Sequence, residues 1–257
     1  MLTSAHPVTK PVRALGGFFA MSLDTLLMVF RPPFAWREYV LQTWFIARVS
    51  TVPALVLVIP YAVLLTFSLN VVLTEIGAVD YSGTGASIAD VSQIGPVGTV
   101  LVISGAAATA ICADLGARTI REELDALRVM GIDPIRALVL PRVLAATTVA
   151  FALGASVIIV ALTDTYVFSV YVQHVSPGAF VDHLTLLTGV GDVVVSLVKA
   201  TLFGLTAGLI GCYKGITVSG GPAGVGNSVN ETVVFSFIAL FSINTIVTAV
   251  GIQWTVS

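Results

Sequence analysis

Charge is scarce in this chain. Lys, Arg, Asp and Glu make up 10% of the 257 residues, whereas hydrophobic residues make up 56% and the mean hydropathy is +0.99. A soluble domain of this length cannot cover itself with so few polar side chains, so lipid is the expected solvent for most of its surface. A basic face is also missing, and the net charge is −2, which leaves no reading as a nucleic-acid binder. There are two cysteines, Cys112 and Cys212. Both lie in apolar runs without a CxxC or a His/Cys neighbour, which excludes a disulfide framework and a zinc site and leaves small core residues. The Gly-rich stretch SGGPAGVGNSVNE lacks the Gly-Lys-Ser/Thr ending of a phosphate-binding loop. No catalytic triad or metal motif supports an enzyme, and no cofactor is expected in this chain. His174 and His183 stand near Asp182, but their spacing does not define a metal site. A cleavable signal peptide is not expected either, because the first 15 residues are polar and contain proline.

What is present is length in apolar runs. A bilayer core of ~30 Å needs about 20 apolar residues. Five segments qualify, near Val52–Leu73, Ile94–Ala113, Val143–Thr163, Val193–Tyr213 and Val233–Ile252, and Lys199 is the only ionisable side chain within those bounds. Basic residues set the orientation. Lys10, Arg13, Arg31, Arg37 and Arg48 precede the first span; Arg118, Arg121, Arg128, Arg136 and Arg142 lie between the second and third; Lys214 follows the fourth. The loops at about 74–93 and 164–192 hold acids but no Lys or Arg. A multi-pass protein of the inner (plasma) membrane follows, with the N-terminus cytoplasmic and the C-terminus periplasmic or extracytoplasmic.

Residues 1–51 are read as a cytoplasmic tail with interfacial amphipathic helices, and residues 52–257 as a five-span domain. GGFFAMSLDTLLMVF is interrupted by Asp24 and stopped by Arg31-Pro32-Pro33; FAWREYVLQTWFIARVS mixes Trp36, Tyr39 and Trp44 with Arg37, Glu38, Gln42 and Arg48. Aromatics with snorkelling Arg suit helices lying in the cytoplasmic interface; a re-entrant or buried pair is the alternative. The Gly-rich stretch reads as a flexible turn, with Ser228 and Glu231 as a capping box for the fifth span.

One cytoplasmic block stands out. DLGARTIREELDALRVMGIDP, Asp114 to Pro134, holds eight charged residues between two apolar runs. Asp114/Arg118, Arg118/Glu122 and Arg121/Asp125 are opposite charges at i,i+4, each pair worth ~0.2–0.5 kcal/mol to a helix. Ile120, Leu124 and Leu127 share one face. Gly131 suits a left-handed helix end, and Asp133-Pro134 an N-cap and first turn. The spacing predicts a short amphipathic helix over about 114–131. A solvated connector would carry charge too, but an apolar stripe beside charges of both signs suits a docking surface.

The run IGPVGTVLVISGAAATAICADLGARTIREELDALRVMGIDPIRALVLPRVLA resembles the signature region of the MlaE/YrbE permease family: G-P, a small-residue helix, acidic-x-G, then E-x-x-(D/S)-A-x-x-x-M-G-x-D-P and P-R. ICADLGARTIREELDA and GLIGCYKGITV look most like its actinobacterial, Mce-associated YrbE branch. The resemblance implies an all-α integral membrane fold and a permease subunit of an ATP-driven (ABC) lipid transporter. Its implied partners are a second YrbE-type permease chain, identical or paralogous, a cytoplasmic ABC ATPase dimer carrying ATP and Mg, and an extracytoplasmic MCE protein assembly. The block becomes the coupling helix, with Arg118, Arg121, Glu122, Glu123, Asp125, Arg128, Gly131, Asp133 and Pro134 as its ATPase-coupling residues. The chain departs from the family pattern at Gln93-Ile94, at Ala106 and at Asp114, where many relatives carry Glu-Leu, Arg and Glu.

Ser104, Gly105 and Ala108 are candidates for a helix seam or the wall of a lipid path. Lys199 is either a substrate residue or a lysine snorkelling to the outer interface. With no carboxylate inside the five runs, an apolar cargo such as a fatty acid or sterol is favoured over a proton-coupled carrier, and import is the direction expected alongside the family resemblance. A passive anchor for MCE proteins is the other alternative.

Overall fold

A chain surrounded by lipid must satisfy its own backbone, and helices do so locally. The computed structural model describes residues 9–30 and 34–256, so the expected stop at Arg31-Pro32-Pro33 lies outside the described residues. Its helices are α1 (Thr9–Met28), α2 (Trp36–Glu75), α3 (Val79–Ile120), α4 (Glu123–Val129), α5 (Ile135–Val172), α6 (Pro177–Leu184), α7 (Val190–Ile216) and α8 (Gly221–Val256). Five of these, α2, α3, α5, α7 and α8, are long and apolar enough to cross a membrane. They contain the five runs read from the sequence. α1 is not among them.

The helices outrun the apolar runs. α2 is continuous for 40 residues through Pro53 and Pro60, so the amphipathic segment before Val52 is the first part of the spanning helix rather than a separate one. Proline removes one intrahelical hydrogen bond but is tolerated in lipid where neighbouring groups compensate. Every fourth residue of α2 from Gln42 to Asn70 is buried, through Ile46, Ser50, Ala54, Val58, Ala62 and Thr66. That single stripe packs mainly on α5. Val52, Val56 and Leu64 point outward, as lipid-facing positions should.

α3 lies at the centre, against α2, α5, α7 and α8. It carries π-helical turns at Ile88–Ile94 and Ile103–Ala107. The two loops without basic residues meet at one end. Thr84 Oγ1 donates to the His183 carbonyl at 2.7 Å, Ser87 and Thr188 hydroxyls lie 3.0 Å apart, and Phe180 is buried between them and Tyr166.

The Gly-rich stretch is not a turn. Gly220 and Gly221 take positive φ (88° and 72°), and the helix then begins, with Pro222 in its first turn. Ser228 and Glu231 therefore sit inside α8 rather than capping it. The Thr232 hydroxyl donates to the Ser228 carbonyl, and Glu231 pairs with Lys214 at 2.6 Å.

Candidate functional site

The charged block folds as two pieces. α3 runs on to Ile120, the chain breaks at Arg121-Glu122, and α4 restarts at Glu123. The break is backbone geometry: Glu122 has φ 58° and ψ 19°, the left-handed region. A non-glycine residue there costs about 1–2 kcal/mol. The expectation of one helix over 114–131 is corrected accordingly. Asp114/Arg118 pairs as expected, at 3.4 Å. Arg118/Glu122 and Arg121/Asp125 are replaced by Arg121–Glu123 at 3.0 Å, Arg118–Glu123 at 3.8 Å and Arg128–Asp125 at 2.7 Å. The break turns the register, so i,i+4 spacing no longer applies across it.

The end of the block follows the sequence reading. Gly131 has φ 77°, and the Ile132 N–H donates to the Leu127 carbonyl at 2.9 Å, closing α4 in a left-handed cap. Asp133 accepts from the Ile135 N–H at 3.0 Å, and Pro134 opens α5. Leu124 is buried and Leu127 packs on the core. Val129, Met130 and Ile132 are not: they are 89%, 64% and 44% exposed. They lie among exposed Arg121, Glu122, Asp125, Arg128 and Asp133. The three form an exposed apolar knuckle beside charges of both signs.

Behind this knuckle lies an ion network missed at the sequence level. Arg142 on α5 is fully buried. Its Nη2 lies 2.6 Å from Asp114 Oδ2 on α3 and 3.2 Å from Glu38 Oε1 on α2. Its Nε donates to Asp114 at 3.2 Å and its Nη1 to the Leu138 carbonyl at 2.8 Å. Gln42 donates to Glu38 at 3.0 Å. One signal was available: Asp114 ends one apolar run and Arg142 opens the next, so opposite charges stand on the same side of adjacent spans.

Of the small-residue candidates, Ser104 and Ala108 are buried within the chain. Gly211 on α7 stands so close to Ala108 that a Cβ there would lie 2.6 Å from the Ala108 carbonyl oxygen. Gly105 is exposed, with open space where a Cβ would be. Lys199 is 2% exposed, enclosed rather than laid along the outside of the bundle as snorkelling requires. No carboxylate among the described residues lies within ion-pairing distance of it. The longer helices also take in Asp90, fully buried, and Asp164. The Asp90 carboxylate faces the Thr165 side chain, and Asp164 Oδ2 has no hydrogen-bond partner among the described residues. The absence of carboxylates from the spans, used above against a carrier, therefore does not hold at these helix lengths. No cluster of three or more His, Cys, Asp or Glu suited to a metal occurs among the described residues. His183 stacks near Tyr81 and its Nδ1 lies 2.8 Å from the Ala179 carbonyl; His174 takes a left-handed φ of 58°.

The family model for permease MlaE matches residues 39–250. The chain belongs to the MlaE permease family. A probable ABC transporter permease protein of Synechocystis is 34% identical over 65% of this chain and 64% of its own length. The chloroplastic protein trigalactosyldiacylglycerol 1 of Arabidopsis thaliana is 31% identical over 65% of this chain and 48% of its own. A probable ABC transporter permease protein of Rickettsia typhi is 28% identical over 96% and 95%. The match thus spans about half to two thirds of the first two relatives and nearly all of the third. In this MlaE-family chain the matched region takes in most or all of each of the five long helices, the break at Glu122, and Asp114 and Arg142 of the buried network, and it begins one residue after Glu38.

Proposed function

We propose that this chain is the permease subunit of an ATP-driven lipid transporter, and that α4 with its flanking turns is where a separate ATPase docks. The observation that carries this reading is the exposed knuckle Val129, Met130 and Ile132 within a ring of charge. A connector has no use for three exposed apolar side chains outside the spanning region. Membership of the MlaE family and relatives named as probable ABC transporter permeases support it. ATP and Mg would bind on the ATPase. A second permease chain and an extracytoplasmic MCE assembly complete the complex, and exposed Gly105 is the place where a second chain could approach closely. The chain sits in the inner (plasma) membrane.

The cargo is a lipid, moved inward. The name of the Arabidopsis relative contains that of a glycerolipid. An enclosed lysine without an anionic partner among the described residues supports a cargo that brings one, such as a phosphate or a fatty-acid carboxylate. The test is reconstitution of the assembled complex in liposomes with labelled lipid. ATP-dependent movement is expected, and Lys199→Met should leave assembly and ATPase binding intact while lowering movement about tenfold, the scale of one charge-assisted contact. Unchanged movement removes Lys199 from the path. A complex that binds MCE proteins but moves no lipid returns the anchor reading.

Orientation has its own test. Both native cysteines are buried, so introduced ones report cleanly. Cysteines at exposed Tyr81 and Ser176 should react with a membrane-impermeant thiol reagent in intact cells. Those at Ala126 and Gly220 should react only after permeabilisation. Labelling of Ala126→Cys in intact cells overturns the N-in assignment.

A further inference from the structure

We infer that the buried Arg142 is a positioning residue that passes movement of α4 into α5 and on to α2, a helix that α4 does not adjoin in sequence. The inference rests on the coupling reading of α4. The connection can be traced atom by atom. Glu123, the first residue of α4, meets Arg118 across the break at 3.8 Å. Arg118 holds Asp114 Oδ1 at 3.4 Å, Asp114 Oδ2 takes Arg142 at 2.6 Å, and Arg142 reaches Glu38 at 3.2 Å. Charges alternate along the line, and four helices contribute to it. Lys214–Glu231, which joins α7 to α8, shares no residue with it.

Stability does not explain such a group. Replacing a buried ion pair by neutral residues of similar size is often neutral or stabilising, whereas removing one partner alone is strongly destabilising. What a buried guanidinium adds is geometry. Its planar fork engages two carboxylates only when both lie in its plane. Asp114 is about two turns from the break at Glu122 and is tied to the first residue of α4 through Arg118, so a tilt of α4 pulls on it. Arg142 must then follow Asp114 or remain with Glu38. The joint therefore has discrete settings, and a small displacement becomes a switch in which helix α5 moves with.

The test uses the assembled transporter in liposomes, with lipid moved per ATP hydrolysed as the readout. A purely structural staple would alter assembly or melting but not that ratio. The triple variant Glu38→Gln/Asp114→Asn/Arg142→Met removes the charges without stranding one. It is expected to assemble and hydrolyse ATP while moving about tenfold less lipid per ATP, the scale of losing one hydrogen bond to a charged group. A wild-type ratio overturns the inference. Should the triple variant fail to assemble, Glu38→Gln decides, because it keeps the Arg142–Asp114 pair and changes a side chain that is 24% exposed. A lowered ratio supports the joint and an unchanged ratio overturns it. Glu122→Arg separates the two claims. If that variant transports normally with the ATPase bound, the coupling reading itself fails. If it is inactive while the neutral variants keep the wild-type ratio, only the joint fails.

Discussion

Glu122→Arg is expected to abolish transport and to weaken ATPase association while the chain still inserts and folds. Three acids stand at the start of α4, and the structure separates them. Glu123 is occupied by Arg121 and Arg118, and Asp125 by Arg128. Glu122 is exposed and makes no ion pair among the described residues, so its carboxylate is the one left to meet a basic group on a partner. Losing one side of a desolvated charge pair costs ~2–5 kcal/mol, mainly by stranding the other side. An exposed charge on a mere connector would cost about 1 kcal/mol or less. Reversal also places a cation opposite a cation, so a reciprocal acidic substitution on the ATPase should restore part of the activity.

The left-handed backbone of Glu122 adds a second variable, and Glu122→Gly isolates it. Glycine adopts φ 58° without the steric cost, so the turn is kept and only the carboxylate is lost. If the charge is what the ATPase reads, Glu122→Gly loses transport as well. If the turn alone matters, Glu122→Gly works and Glu122→Arg fails only through its cation. Normal transport by Glu122→Arg, with the ATPase bound as before, removes Glu122 from the interface. Gly131, with φ 77°, sets the other end of α4, and a β-branched residue there would mis-aim the knuckle without touching any charge.

How far the sequence reaches can be judged from these residues. The five spans were legible because twenty apolar residues in a row have few alternatives. Gly131, Asp133 and Pro134 were legible because helix ends are set by local chemistry. The break at Glu122 was not. Its neighbours favour a helix by every local rule, and only the packing of Leu124 and the pairing of Arg118 with Glu123 favour a left-handed glutamate. The start of α8 was misjudged for the opposite reason: in Gly221–Asn230 the composition says turn, but in the fold those residues are helical. Arg142 was read as a loop charge because burial is a property of three helices together. Asp90 and Asp164 fell outside the apolar runs because hydropathy marks where greasy residues cluster, while a helix continues as long as its backbone is satisfied.

A close backbone approach between α5 and α7 gives the other large effect: Gly204→Val should prevent stable folding. A Cβ at Gly204 on α7 would stand 2.5 Å from the Ala146 carbonyl oxygen, 2.6 Å from Ala150 Cβ and 2.7 Å from Thr147 Cα, all on α5. Two of those atoms are backbone, and the third is a methyl fixed to it, so no side chain can rotate away. The helices must separate instead. Overpacking of this kind typically costs 1–3 kcal/mol, occasionally more, and here the cost falls on a pair of helices held together in lipid chiefly by close packing. Lys199 lies five residues earlier on α7, so the enclosed cation would shift with the helix. Gly105→Ala is the control, because beyond its own turn of helix no described atom lies within 4 Å of the added methyl. Melting of the detergent-solubilised chain, followed by fluorescence-detected size exclusion, should show a large fall in Tm or aggregation for Gly204→Val and no change for Gly105→Ala. If Gly204→Val melts with the wild type, α5 and α7 are not packed as closely as this contact requires. A Gly105→Ala chain that is sound alone but fails in the assembled complex would place a second permease chain against that face of α3.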